Sequence, residues 1–139
     1  MTSGAQLTFV GMAHPWMCDT MGHVNVRHYM GFFDDASFQF LALIAPSEAD
    51  GRFGWADARC EIDYRREIEP GTPLAIHTHA TRIGGRSITY AHRLVGSVDR
   101  ILRAEAKTVT ARFDLVERKA VELDEEIRRC ATMYLVQET

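Results

Sequence analysis

Residues 26–45, VRHYMGFFDDASFQFLALIA, place Val26, Tyr29, Met30, Phe33, Ser37, Phe40, Leu41 and Ile44 at three- and four-residue spacing. That is the period of one helix face. Phe32, Phe38 and Leu43 carry the apolar surface well past a single stripe. A helix of about five turns with such a surface needs protein wrapped around it, so the rest of the chain has to supply an enclosure. Pro46 predicts the end of this helix, with residues 47–51 as the connecting loop.

Beyond that loop the chain reads as strands. From Trp55 the period drops to two: Ala56, Ala58, Cys60, Ile62 and Tyr64 are expected on one face, Arg59, Glu61, Asp63 and Arg65 on the other. EPGTP is a turn, PLAIHTHATRI a second strand, IGGRS a tight connection and SITYAHRLVG a third strand. ILRAEAKTVTARFDL makes a long fourth, with Leu102, Ala104, Ala106, Thr108 and Thr110 opposed to a wet face of Arg103, Glu105 and Lys107. Ahead of the helix, Leu7 and Phe9 alternate with polar neighbours as one more strand. The tail LDEEIRRCATMYL has an acidic start and Ile127, Cys130 or Ala131, and Tyr134 at helical spacing, which predicts a short amphipathic closing helix. The simplest layer solution is an α+β domain: an antiparallel sheet of about five strands with the long helix on one face.

Length and charge narrow the functional classes. The 139 residues fit a single domain, 1–139, without repeats, linkers or low-complexity segments. A net charge of −3 and the lack of any Lys/Arg tract argue against nucleic acid as the main partner. The longest apolar stretch, Phe38 to Pro46, is too short for a bilayer, so no membrane partner is expected. Cys18, Cys60 and Cys130 are odd in number and widely spaced, which predicts reduced thiols in a cytoplasmic protein and no zinc motif.

Chemistry concentrates just before the long helix, in CDTMGHVNVRHY, residues 18–29. A helix N-terminus offers free backbone N–H groups and the positive end of a dipole. Asn25 is a natural cap, and Gly22 allows the chain to turn tightly beside a ligand. An aspartate in such a place is ordinarily a cap or turn residue; it is equally well placed to work beside the helix amides.

The pattern Asp19-x-x-Gly22-His23-Val24-Asn25-x-x-x-Tyr29, leading into a helix, resembles the hotdog-fold acyl-CoA thioesterases, and CDTMGHVNVRHYMGFFDDAS resembles their 4-hydroxybenzoyl-CoA thioesterase-like branch. EIDYRREIEPGTPLAIHTHATRIGGRSITY resembles the same family's second strand, Pro-Gly turn and Gly-x-x-Ser hairpin, so the likeness runs from about Leu7 to Asp114. It implies a curved sheet wrapped around the long helix, a homodimer or dimer of dimers, and sites at the subunit interface. It also implies hydrolysis of an acyl-CoA to a carboxylic acid and free coenzyme A, without cofactor or metal. Asp19 matches the catalytic carboxylate, acting as nucleophile or as general base, and Val26 the position whose amide binds the thioester oxygen. Asp19, His23 and Asn25 also match the motif of plant-type acyl-carrier thioesterases, in which Met21 and Val26 depart from the usual asparagines. His23 and Asn25 are therefore assigned to positioning Asp19, a water or the loop.

Arg65, Arg66 and Arg86 sit near turns or strand ends and are the candidates for the nucleotide phosphates. Trp16 flanks the Asp19 loop; with Trp55, Phe32 and Phe33 it is a candidate wall for an acyl pocket, one suited to a quaternary ammonium group. His77 and His79 share a strand face but lack an evident third ligand. Cys18 beside a carboxylate is disfavoured as a thiolate, and Ser87 has no evident base. Two other readings stand beside the hydrolase: a non-catalytic acyl-CoA-binding hotdog protein and an acyl-carrier-protein thioesterase.

Overall fold

The computed structural model describes residues 4–45 and 51–137, so Pro46 and most of the expected 47–51 loop lie outside the described residues. The chain runs β1 (Gln6–Met12), a 3-10 turn (Pro15–Met17), α1 (Arg27–Ile44), β2 (Phe53–Tyr64), β3 (Pro73–Ile83), β4 (Ser87–Gly96), β5 (Leu102–Asp114), β6 (Lys119–Ala120) and α2 (Glu125–Thr132). All pairings are antiparallel in the order β1-β3-β4-β5-β2, and the two-residue β6 adds to the end of β5. This is the hotdog arrangement: five long strands and the α1 helix on their inner face.

The inner face takes every second residue. Ile88, Tyr90, His92 and Leu94 of β4 are fully buried, as are Leu74, Ile76, Thr78 and Ala80 of β3. The core has two apolar parts. Tyr29, Phe32, Phe33 and Ala36 pack on Ile68, Leu74, Ile76 and Leu94. Phe40, Leu41 and Ile44 pack on Ile88, Tyr90 and the α2 residues Ile127 and Ala131. Each large side chain so buried contributes about 1.5–3 kcal/mol. Asp124 caps α2 by accepting from the Ile127 amide at 2.8 Å, which explains why the tail's acidic start begins a helix.

Three expectations are corrected. In β2 the partners of β5 skip from Asp57 to Arg59, so Ala58 is bulged out and the face changes parity there. Trp55 and Asp57 oppose the inward residues Arg112 and Thr110, while Ala58, expected inside, is exposed. A second bulge in β1 buries Thr8 and exposes Leu7. Arg103, expected on the wet face of β5, is buried: its guanidinium pairs with Asp99 at 2.8 Å and also donates to the carbonyls of Glu67 and Ile101. The 97–101 turn and the 67–69 loop fold over that end of the sheet and supply the acceptors.

Nor does one copy of the chain wrap α1 completely. Phe38 is 70% exposed, and Met30 and Leu43 are also largely open.

Candidate active site at the start of the long helix

The loop before α1 is held by its own backbone. The Gly22 amide donates to Asp19 O at 3.0 Å and the Asp19 amide to His23 O at 3.2 Å, while Cys18 and Val24 form a β-bridge. Gly22 has φ +84°, the left-handed region where a side chain would be strained. Val24 is buried and donates to Ile68 O, fixing the loop to the core.

Asp19 emerges from this turn with both carboxylate oxygens engaged: Oδ1 accepts from the Met21 amide and Oδ2 from Asn25 Nδ2, each at 2.8 Å. The Asn25 contact first, then the Met21 amide, lower its pKa below the ordinary aspartate value, so it is ionised at neutral pH. Asn25 works in two directions, because its Oδ1 accepts from the Arg27 amide at 3.0 Å and its carbonyl from His28. One asparagine thus caps the helix and orients the carboxylate. The expected site members Asp19, Gly22, Asn25 and Val26 are brought together here. Val26 immediately precedes α1, and its N–H has no acceptor among the described residues.

The other candidates are dispersed. His23 is part-buried and makes no hydrogen bond to the carboxylate among the described residues: Nδ1 lies 3.4 Å from Val24 O and Nε2 3.9 Å from Glu67. Arg65 and Arg66 line a cavity of about 270 Å³ with His23, Val26, Tyr29 and Tyr64, close to the helix start. Arg65 also pairs with Glu105 at 3.1 Å. Trp16 is 71% exposed beside the loop, with His14 stacked on one side and His28 edge-on. Arg86 sits on the β3–β4 hairpin and pairs with Glu122. Its β4 neighbour Ser87 is opposite Ala111, near the Phe53 end of β2, so a single copy leaves Arg86 far from Asp19.

Between the two apolar parts of the core runs a polar line that sequence reasoning missed. Ser37 Oγ lies 3.1 Å from His92 Nε2, His92 Nδ1 2.6 Å from Thr78 Oγ1, and Thr78 Oγ1 2.7 Å from Thr8 Oγ1, which donates to Ile76 O at 3.2 Å. A carbonyl can only accept, and that fixes every other proton. Thr8 accepts from Thr78, Thr78 from His92 Nδ1–H, and His92 Nε2 accepts the Ser37 proton. His92 is fully buried, and burial pushes its pKa down to about 3, so the ring is neutral as the line requires. The signal was present: Thr78 and His92 occupy inward strand positions, and Ser37 interrupts the apolar face of α1. Among the described residues no cluster of three or more metal-ligating side chains occurs, and no helix is long and apolar enough to cross a membrane.

An antiparallel sheet in this order with a long helix on its inner face defines a class of fold, the hotdog. The chain belongs to the thioesterase-like superfamily, whose profile matches residues 13–130. Solved structures share its fold. A predicted thioesterase from Bacillus stearothermophilus superposes with a TM-score of 0.86 at 19% identity, over 97% of this chain and 99% of that one. A 1,4-dihydroxy-2-naphthoyl-CoA thioesterase from Synechocystis gives 0.77 at 18% identity, over 91% of this chain and 95% of that one. A Staphylococcus aureus protein in complex with CoA gives 0.82 at 13% identity, over 93% of this chain and 84% of that one. Among curated proteins, none matches the chain.

Proposed function

We propose that the protein hydrolyses an acyl-CoA thioester to a carboxylic acid and free coenzyme A. One observation carries this reading: the ionised Asp19 carboxylate is held by Asn25, the residue that directly precedes a Val26 N–H without an acceptor among the described residues. The thioester oxygen takes the Val26 amide as its donor, where the helix dipole favours negative charge. Asp19 then either accepts a proton from the attacking water or attacks the carbonyl itself, giving a mixed anhydride that water opens. In both routes the C–S bond breaks and the coenzyme A sulfur leaves with its electron pair and takes up a proton. His23 and Asn25 position the loop and Asp19. Arg65 and Arg66 lie at the cavity beside Val26 and meet the phosphates of the nucleotide.

A homodimer completes the site. Among the described residues β2 pairs with β5 on one side only, which leaves its other edge to pair with a second copy. Antiparallel pairing of two β2 edges brings the Phe53 end of one copy, with its Arg86 hairpin, to the Tyr64 end of the other, beside Asp19. Mixing tests this. Asp19→Asn chains combined with Arg86→Glu chains regain about a quarter of wild-type activity, because one of the two sites in a mixed dimer receives both native residues. No gain over either parent would place Arg86 outside the site.

The direct test follows thiol release from a panel of short, long, aromatic and cationic acyl-CoAs. Turnover of at least one member establishes the activity. Binding without turnover would favour an acyl-CoA-binding protein, and turnover confined to acyl-carrier-protein thioesters would change the substrate.

A further inference from the structure

Where β2 ends, residues 65–69 leave the sheet, and Arg103 of β5 holds them in two ways. Its carbonyl accepts from the Arg65 amide at 2.8 Å and from the Arg66 amide at 3.0 Å. Its buried guanidinium donates from Nε to Glu67 O at 3.2 Å and reaches Glu69 Oε2 at 3.4 Å. The remaining donors go to the 97–101 turn: to the two Asp99 oxygens at 3.0 and 2.8 Å, and to Ile101 O at 3.0 Å. Asp99 thus grips both tips of the guanidinium fork, a planar geometry that a lysine cannot reproduce. Gly96 belongs to the same arrangement, because a Cβ there would collide with Asp99 Oδ1. The turn comes that close to the end of β4 only where the side chain is absent.

A buried ion pair adds little net stability, since desolvation offsets the attraction, so such a clamp is better understood by the geometry it specifies. The segment it fixes carries Arg65 and Arg66, which line the cavity at the helix start together with Val26, Tyr29 and Tyr64. Arg66 makes no side-chain hydrogen bond or ion pair among the described residues, so its backbone alone sets where the guanidinium projects. Arg65 pairs with Glu105, two residues beyond Arg103 on the same strand. The segment also meets the Asp19 loop, because Ile68 O accepts from the Val24 amide at 2.9 Å. Arg103 itself does not line the cavity. It therefore acts on a ligand there only through the residues it holds.

We propose that Arg103 is a positioning residue for coenzyme A: by tying residues 65–69 to the 97–101 turn it sets the place and direction in which Arg65 and Arg66 meet the nucleotide phosphates. The inference rests on the thioesterase reading above. Two long side chains on an unsupported segment would have to be ordered by the ligand, and each position so immobilised lowers affinity. On a segment already held, the phosphates meet arginines whose backbone is in place. The thioester and the acyl group play no part in this effect, so it is confined to substrates that carry the phosphates.

The test compares an acyl-CoA that the wild type cleaves with the same acyl group on pantetheine, which keeps the thioester and lacks the nucleotide. The ratio of the two kcat/KM values, CoA over pantetheine, is expected to fall about tenfold in Arg103→Met, chiefly through KM for the acyl-CoA. Partial unfolding scales both substrates alike and leaves the ratio unchanged. Gly96→Ala dislodges Asp99 with Arg103 intact and lowers the ratio in the same way, which covers the case in which Arg103→Met does not fold. Arg103→Lys keeps the charge without the fork and stays close to Arg103→Met. Arg65→Gln/Arg66→Gln also lowers the ratio, and adding Arg103→Met to that pair lowers it no further. A wild-type ratio in Arg103→Met or Gly96→Ala overturns the inference, as does full recovery with lysine, which would make the effect one of charge. An undiminished fall on the double-variant background overturns it too, and so does a wild-type ratio in the double variant itself, which would take both arginines away from the phosphates. Each of these results leaves the hydrolase intact. If no thioester is cleaved, the hydrolase reading falls by itself, and calorimetric titration with free coenzyme A decides. Weaker binding in Arg103→Met that vanishes on the Arg65→Gln/Arg66→Gln background upholds the clamp. Equal affinity in wild type and Arg103→Met, or no binding by the wild type, overturns it.

Discussion

Asp19→Asn lowers kcat by about a thousandfold or more on every acyl-CoA that the wild type cleaves, with the fold retained. The substitution keeps an oxygen able to accept from the Met21 amide and so leaves the turn in place. It removes the basic, nucleophilic carboxylate, which both chemical routes require. The pH dependence supplies an independent readout. The Asn25 and Met21 contacts hold the Asp19 pKa below the usual aspartate range, so wild-type kcat/KM stays flat down through pH 5 and falls only in stronger acid. An acid limb near neutrality would point to a different base. Equal turnover in both proteins would return Asp19 to the role of a turn residue.

The second large effect concerns His92 and stability. Its pKa is about 3 in the folded chain against about 6.5 when unfolded, so below pH 6.5 the unfolded chain binds the extra proton and stability falls as pH drops. The expected loss is about 2 kcal/mol between pH 7 and pH 5, measured by urea denaturation at several pH values. His77, also lowered by burial, adds in the same direction. Asp99 and Asp114 act in a separate window. Their pKa values are held near 2 chiefly by Arg103 and Arg52, so their contribution is complete above about pH 4 and fades only in stronger acid. His92→Gln should flatten the curve between pH 5 and 7 while lowering stability throughout, since Ser37 and Thr78 lose a fitted partner. An unchanged slope in that variant would assign the pH dependence to other groups.

The long helix, the five long strands and the Asp19 loop were legible because each rests on local signals: a period, a turn dipeptide, a cap. The bulges at Thr8 and Ala58 were not, since one inserted residue inverts every later side chain and leaves the alternation looking regular. That inversion is why Trp55 and Asp57 stand opposite the inward Arg112 and Thr110, on the side where Ala56 and Ala58 were expected. Arg103 was misplaced because its acceptors come from residues 67–69 and 97–101, which strand periodicity cannot see. The Ser37–His92–Thr78–Thr8 line depends on four elements meeting in space. Arg86 is a nucleotide contact only if a second copy brings it to Asp19. Periodicity in one chain carries no trace of that encounter.

If Val26 is the donor proposed above, its amide, without an acceptor among the described residues, has a consequence for how such a site changes over time and how it is found. A donor that belongs to the main chain survives the replacement of its side chain by nearly anything, so position 26 can drift while the chemistry persists. Substituting alanine across the loop would pass over it without a signal. Proline is the natural replacement that deletes it, and the φ of −56° at Val26 already suits a pyrrolidine ring. Val26→Pro should therefore depress turnover where Val26→Ala leaves it near wild type, which identifies a contributor that sequence variation at position 26 would conceal.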